Sequence, residues 1–145
     1  EVARPLQRTL RDLMWECCGV VRTEEKMAEG LQNIDDLKER VSKLDVRPDS
    51  EGFEDLMLAF DLKASITSAE ATLLSAIERK ESRGAHYRKD YPQLSTTQLV
   101  NYRISANDNG QLVLHQHEIE NLRGDLKNIV ANTTEADDLS GKLLE

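Results

Sequence analysis

Between Glu54 and Lys80 the chain contains neither glycine nor proline, so nothing local interrupts a helix over that run. The periodicity carries it on into Arg83, and Gly84 is the expected stop. Two apolar lines mark this helix. One runs through Phe53, Leu56, Met57, Phe60, Ala64, Ala71 and Leu74; the other runs through Leu62, Ile66, Ala69, Leu73 and Ile77. A face that wide suits contact with two other helices, and the Met and Phe residues are expected in the core.

Two shorter helices precede it. Pro5 fits a first turn, and Leu6, Leu10, Leu13, Met14 and Cys17 mark one face of a helix that should end near Gly19. After the apolar joint Val20–Val21, Thr23 is the expected cap of the second helix, with acidic Glu24 and Glu25 in its first turn. Lys26 stands where a capping box would need an acid or amide. Met27, Leu31, Ile34, Val41 and Leu44, flanked by Leu37, keep a heptad-like spacing up to a break from Val46 to Gly52. The pattern predicts a mainly α chain built on an antiparallel three-helix, spectrin-repeat-like bundle over 1–92. Trp15, the only tryptophan, is expected under the third helix or the hairpin that follows, because so much apolar area is costly to leave wet.

After Pro92 the pattern alternates. Val100, Tyr102 and Ile104, then Asn107–Gly110, then Leu112 and Leu114 predict a loop and β-hairpin over 93–117. A three-residue Asp108-Asn109-Gly110 loop with Gly110 in the left-handed region pairs Ile104 with Leu114 and keeps both apolar sets on one face. His115 and His117 then share a face, but no third ligand accompanies them, which favours exposed polar residues over a metal. From Ile119 a helical pattern returns through Leu122, Leu126, Ile129 and Val130. Residues 118–145 are therefore expected to form a C-terminal helix and an acidic tail, with a polar helix end at Asn132-Thr133-Thr134 and a last turn around Leu139, Leu143 and Leu144.

Composition limits the function. The chain has 145 residues and a net charge of -8, which argues against nucleic acid, and no run of apolar residues long enough for membrane insertion. Cys17 and Cys18 are the only cysteines. Neighbours on a helix point about 100° apart, so they are expected as free thiols in a reducing, cytoplasmic setting. Cys17 falls on the apolar seam and Cys18 off it. With no further Cys or His cluster, no metal site is expected. The chain starts at Glu1 rather than Met, as expected of a piece cut from a longer protein.

The unusual chemistry lies in Glu81–Pro92. His86 is the single candidate acid or base there, and its basic neighbours Arg83, Arg88 and Lys89 would lower its pKa. A structural histidine is the favoured interpretation. No glycine-rich phosphate loop, nucleophile elbow or paired base and nucleophile is present, so no catalytic or cofactor-binding residues are assigned.

Leu13-Met14-Trp15 followed by Gly19-Val20-Val21-Arg22-Thr23, with Glu81-Ser82-Arg83-Gly84-Ala85-His86 and Asp90-Tyr91-Pro92, resembles the C-terminal helical domain of the succinate dehydrogenase and fumarate reductase flavoproteins. L-aspartate oxidase shares that domain. The resemblance covers roughly Leu6 to His115. It implies a parent enzyme whose FAD-binding and capping domains lie N-terminal to this chain and carry the flavin and the catalytic residues. FAD is thus expected in the parent and no cofactor in this piece, which alone should be inactive. An iron-sulfur subunit is an implied partner of the dehydrogenase but not of the oxidase, and attachment would be peripheral, at the inner face of the membrane, through partner subunits. Ser82, Arg83, Gly84 and His86 match the family's motif and are expected to serve interdomain docking. Arg83, delivered by a helix end and lacking a partner within the chain, should then be replaceable by Ala within about 0.5 kcal/mol of stability. The alternative of another class is a free-standing helical coiled-coil interaction module, which accounts for the helices but not for Glu81–Pro92.

Overall fold

The computed structural model describes residues 1–46, 53–97, 99–120 and 123–131. Three long helices dominate them: α1 (Ala3–Cys18), α2 (Glu24–Val41) and α3 (Phe53–Glu78). Each packs on the other two. Strand β1 (Val21–Arg22) pairs in parallel with β2 (Tyr87–Arg88), β3 (Val100–Ala106) pairs antiparallel with β4 (Leu112–Glu118), and a short α4 (Gly124–Ala131) follows.

The core is one seam. Ala3, Leu6, Leu10 and Cys17 of α1 meet Met27, Ile34, Leu37 and Val41 of α2 and Ala59, Leu62, Ile66, Ala69, Leu73 and Ala76 of α3. These positions recur at helical spacing, so each helix offers a single stripe to the other two. Gly30 lies where α2 crosses both neighbours: a Cβ there would stand 3.0 Å from the Cys17 Cβ and 3.3 Å from the Leu73 methyls. Its lack of a side chain sets the approach of the three helices. Outside the seam, Arg4 pairs with Glu54, Gln7 Nε2 donates to Asp61 at 2.9 Å, Arg40 pairs with Glu1, and Lys38 Nζ reaches Glu70 at 2.6 Å.

Several expectations need correction. Only the second apolar line of α3 is core; Phe53, Met57 and Phe60 are exposed because they lie on the opposite side of the helix from Leu62, Ile66 and Leu73. Trp15 is 76% exposed. At 100° per residue it sits about 160° from the seam that carries Leu6, Leu10 and Cys17. Cys18 is buried together with Cys17, since the chain turns at Gly19 and Arg22 Nε folds back to donate to the Gly19 carbonyl at 2.9 Å. Burial raises the pKa of both thiols. Leu37 belongs to the core rather than its flank, and Leu44 lies beyond the end of α2.

Thr23 caps α2, its hydroxyl accepting the Lys26 N–H at 3.3 Å. In the β3–β4 hairpin Ile104 faces Leu114, Asn107 Oδ1 accepts the N–H groups of Asn109 and Gln111, and Gly110 has φ 76°. The His115 ring is hydrogen-bonded to Ser105 at 2.9 Å. Ile119 does not begin a helix. Its N–H bonds the Leu99 carbonyl at 3.1 Å and extends the hairpin ladder, and α4 starts only at Gly124. The expected features at residues 47–52, at Leu122 and from Asn132 onward lie outside the described residues.

Candidate functional site at the end of the helices

α3 ends at Glu78, five positions short of Arg83 and without a glycine or proline to stop it. The reason lies in who takes its last carbonyls, which no further turn of helix is there to satisfy. The Arg88 guanidinium donates from Nη1 to the carbonyls of Ala76 and Ile77, both at 3.0 Å, and to Arg79 at 3.4 Å. His86 Nε2 donates to the Arg79 carbonyl at 3.1 Å, and the Tyr102 hydroxyl reaches that of Glu78 at 3.4 Å. The helix is closed by side chains folding back from the following loop, not by a change of backbone. A cation is also favoured at the negative end of a helix.

Arg88 is entirely buried, and a buried charge requires a counter-charge. Asp90 supplies it in bidentate geometry, with Nε to Oδ1 at 2.8 Å and Nη2 to Oδ2 at 2.7 Å; Glu24 adds a contact at 3.3 Å. Asp90 Oδ2 also accepts the Glu24 backbone N–H at 2.9 Å, one of the unsatisfied donors at the start of α2. One ion pair therefore joins the C-terminal end of α3 to the N-terminal end of α2, each charge at the helix end that its sign suits. Hydrogen bonds from Arg88, then those from the Glu24 and Asp90 backbone and last the Arg88 charge, hold the Asp90 pKa well below the usual carboxylate range even though partial burial opposes this.

Glu81 is the second fully buried charge. It accepts from Arg79 at 2.7 Å, from Arg83 Nε at 3.1 Å and Nη2 at 3.2 Å, and from the Ser95 N–H at 2.9 Å. Burial pushes its pKa upward, but the hydrogen bonds from Arg83, Ser95 and Arg79 outweigh burial and pull it down to about 2. Arg79 in turn donates to the Val100 carbonyl at 2.8 Å and lies over the Tyr102 ring, which fastens the hairpin to the end of α3.

The motif residues fall within this network. Ser82 Oγ accepts the Arg88 N–H at 2.9 Å and bonds the Tyr91 carbonyl at 2.9 Å. Arg83 is not carried by a helix and does have partners in the chain: besides Glu81 it donates to the Ser95 carbonyl at 2.9 Å. Gly84, at φ 57°, is the first of two turn residues between Arg83 and His86, whose N–H and carbonyl groups exchange bonds of 2.8 and 3.0 Å. A positive φ at that position is what a type II′ turn requires. His86 Nδ1 accepts from Arg22 Nη1 at 2.8 Å while Nε2 donates to Arg79. Both ring nitrogens are committed to a neutral imidazole, and its pKa is lowered by burial first, then by the charges of Arg22, Arg88 and Arg79.

The arrangement holds three helix ends together: Arg22 binds the Gly19 carbonyl just after α1, Asp90 the first N–H of α2, and Arg88 the last carbonyls of α3. Within it Glu81, Ser82, His86 and Asp90 are each engaged in hydrogen bonds to other groups of the chain. The N-terminus of α2 is filled by the Thr23 hydroxyl and the Asp90 carboxylate. In the sequence Arg88 stands out only as a basic neighbour of His86, and Glu81, Asp90 and Arg22 only as parts of the quoted motifs. The signal available was opposite charge two residues apart, Glu81 with Arg83 and Arg88 with Asp90.

Three helices whose ends are locked by a charged loop, with a small sheet beside them, make a mainly helical domain. The chain belongs to the family described as fumarate reductase flavoprotein C-term, whose model matches residues 7–135. That span includes Glu81–Pro92, the stretch a free-standing coiled coil left unexplained. The fumarate reductase flavoprotein subunit of Haemophilus influenzae is 35% identical over 100 residues, covering 68% of this chain and 17% of that protein. The L-aspartate oxidase of Pyrococcus horikoshii is 36% identical over 84 residues, 58% of this chain and 13% of the other. Among solved structures, Mycobacterium smegmatis Sdh1 in complex with UQ1 superposes with a TM-score of 0.79 at 26% identity over 94% of this chain and 23% of that one. The chain thus spans less than a fifth of the length of these two curated relatives. Among the described residues no helix is long and apolar enough to cross a membrane.

Proposed function

We propose that this chain is the C-terminal structural and docking domain of a succinate dehydrogenase or fumarate reductase flavoprotein subunit, inactive by itself. In the parent, FAD and the interconversion of succinate and fumarate belong to N-terminal FAD-binding and capping domains. Those domains are the first partners; an iron-sulfur subunit is the next, and through it the parent attaches peripherally at the inner face of the membrane. The observation that carries this proposal is the family match across nearly the whole chain, 7–135.

The finer architecture belongs to the same proposal. The three helices α1, α2 and α3 make an antiparallel, spectrin-repeat-like bundle, the β3–β4 hairpin follows and runs on to Ile119 rather than ending at residue 117, and α4 comes after it, all one structural domain. In support, Arg4 and Gln7 pair with Glu54 and Asp61, so α1 and α3 run in the same sense, while Arg40 near the end of α2 pairs with Glu1 ahead of α1, and Arg88 with Asp90 joins the end of α3 to the start of α2, so α2 runs against both. Ser82, Arg83, Gly84 and His86 serve docking by fixing the shape of the loop that the parent meets.

L-aspartate oxidase is the second reading, favoured by the 36% identity to the archaeal enzyme. The two are separated by expressing the full-length parent and testing its oxidation of succinate with an artificial electron acceptor against its oxidation of L-aspartate with oxygen. Succinate-dependent turnover by a flavin-loaded parent is the expected result. Turnover of aspartate alone selects the oxidase, and a parent that carries no flavin rejects both.

A further inference from the structure

Met14, Trp15, Val20 and Ala85 line one shallow groove at the end of α1, beside the turn that Gly84 makes. Its most prominent member is the only tryptophan, 76% exposed, next to Val20 at 70%. A tryptophan offers about 150–250 Å² of contact surface, and nothing within the described chain uses it. The walls are rigid. Val20 and Val21 follow a helix end held by Arg22, β1 is paired to β2, and Ala85 sits in a turn closed by two backbone hydrogen bonds. A preformed, mainly apolar groove with an aromatic side chain in its lining is the anatomy of a protein contact rather than of a solvated surface.

We propose that this groove is the seat of the upstream portion of the same polypeptide, the flavin-carrying part of the parent, and that Trp15 is the anchor of that contact. The proposal rests on the reading above that the chain is the C-terminal part of a longer flavoprotein. More than four-fifths of the fumarate reductase relative's length lies outside the aligned region. A tethered neighbour meets the groove at an effective concentration in the millimolar range, well above that of a second copy in dilute solution. The anchor is therefore distinct from the charged loop residues: Glu81, Arg83, Arg88 and His86 hold the turn that forms one wall, while Trp15 and Val20 make the contact.

The test compares Trp15→Glu, Val20→Glu and Trp15→Phe in two settings. In the 145-residue chain the unfolding midpoint should be the same for all three, and sedimentation should show a monomer. In the full-length parent, limited proteolysis should release the C-terminal domain at least about tenfold faster in the two Glu variants, the factor that corresponds to 1.4 kcal/mol of lost docking. Trp15→Phe, which keeps an apolar ring, should stay near the original rate. Equal release rates for the Glu variants and the original parent would overturn the proposal. So would a dimer of the short chain that Trp15→Glu dissolves, since a second copy would then be the occupant. A parent that proves to hold no flavin removes the flavoprotein reading, while the proteolysis still decides whether upstream chain covers the groove.

Discussion

Leu73 and Arg88 are both fully excluded from water, and they are held in place by opposite physics. Leu73 sits in the core seam against Gly30 of α2, where its contribution is the transfer of apolar area, about 1.5 to 3 kcal/mol for a side chain of that size, and depends little on direction. Arg88 enters the protein at a large desolvation cost that only its carboxylates and three carbonyls offset, each at a fixed distance and angle. The middle of the helices is therefore tolerant and the end where they meet is exacting. A core of this kind specifies that helices pack; the charged end specifies how their termini are joined.

The largest effect expected from breaking the contrast is at Arg88. Arg88→Met should lose about 3 to 5 kcal/mol in chemical denaturation, because it strands Asp90 and leaves the last carbonyls of α3 unpaired. Arg88→Lys should recover little of it, since a single ammonium cannot serve the carboxylate fork and the carbonyls together. A lysine variant of full stability would show that charge, not geometry, holds this end. Leu73→Ala comes next, at about 2 to 5 kcal/mol depending on how far the seam collapses, while Leu73→Met should cost less than about 1.5 kcal/mol. The conservative changes at the two sites thus behave differently, and comparable losses from Leu73→Met and Arg88→Lys would remove the distinction.

Acid sharpens the same comparison. Glu81 is held at about 2 against an ordinary 4.5, so the unfolded chain takes up its proton first; the stability it contributes is complete above pH 4.5 and is lost as pH falls toward 2. Asp90 acts in the same direction. His86, lowered from 6.5, also favours proton uptake by the unfolded chain, so stability should begin to decline on acidification below pH 6.5. Arg88→Met should flatten the part of this profile due to Asp90, and Leu73→Ala should shift the whole profile without changing its shape. Denaturation midpoints measured across that range distinguish the two.

Arg83→Ala should cost about 1 kcal/mol, more than an ordinary surface change because Glu81 loses two of its four donors, and less than Arg88→Met because Arg79 and Ser95 remain. A loss within 0.5 kcal/mol would return Arg83 to the role of an unattached projection. The smallest effect belongs to Trp15→Ala, expected within about 0.5 kcal/mol in this chain, with an emission maximum typical of water-exposed indole in the original. Blue-shifted emission would place Trp15 in a buried site.

What the sequence determined by itself was local. The absence of glycine and proline from Glu54 to Lys80, the hydroxyl of Thr23 ahead of Glu24, and the Asn-Asp-Asn-Gly turn each act on their own few residues, so helix content, the start of α2 and the hairpin turn could be read directly. Glu81–Pro92 stood out by its chemistry. What only the tertiary structure decided was which face each helix buries and where α3 stops. Phe53, Met57 and Phe60 are as apolar as Leu62 and Ile66, and a helix with two apolar faces does not itself choose between them; the choice came from α1 and α2. The end of α3 was set by Arg88, a residue beyond that end whose guanidinium reaches back over it. Its placement required Asp90, Glu24 and a folded loop together. A charge can be buried only where distant partners converge, and no spacing in the sequence states where they will meet.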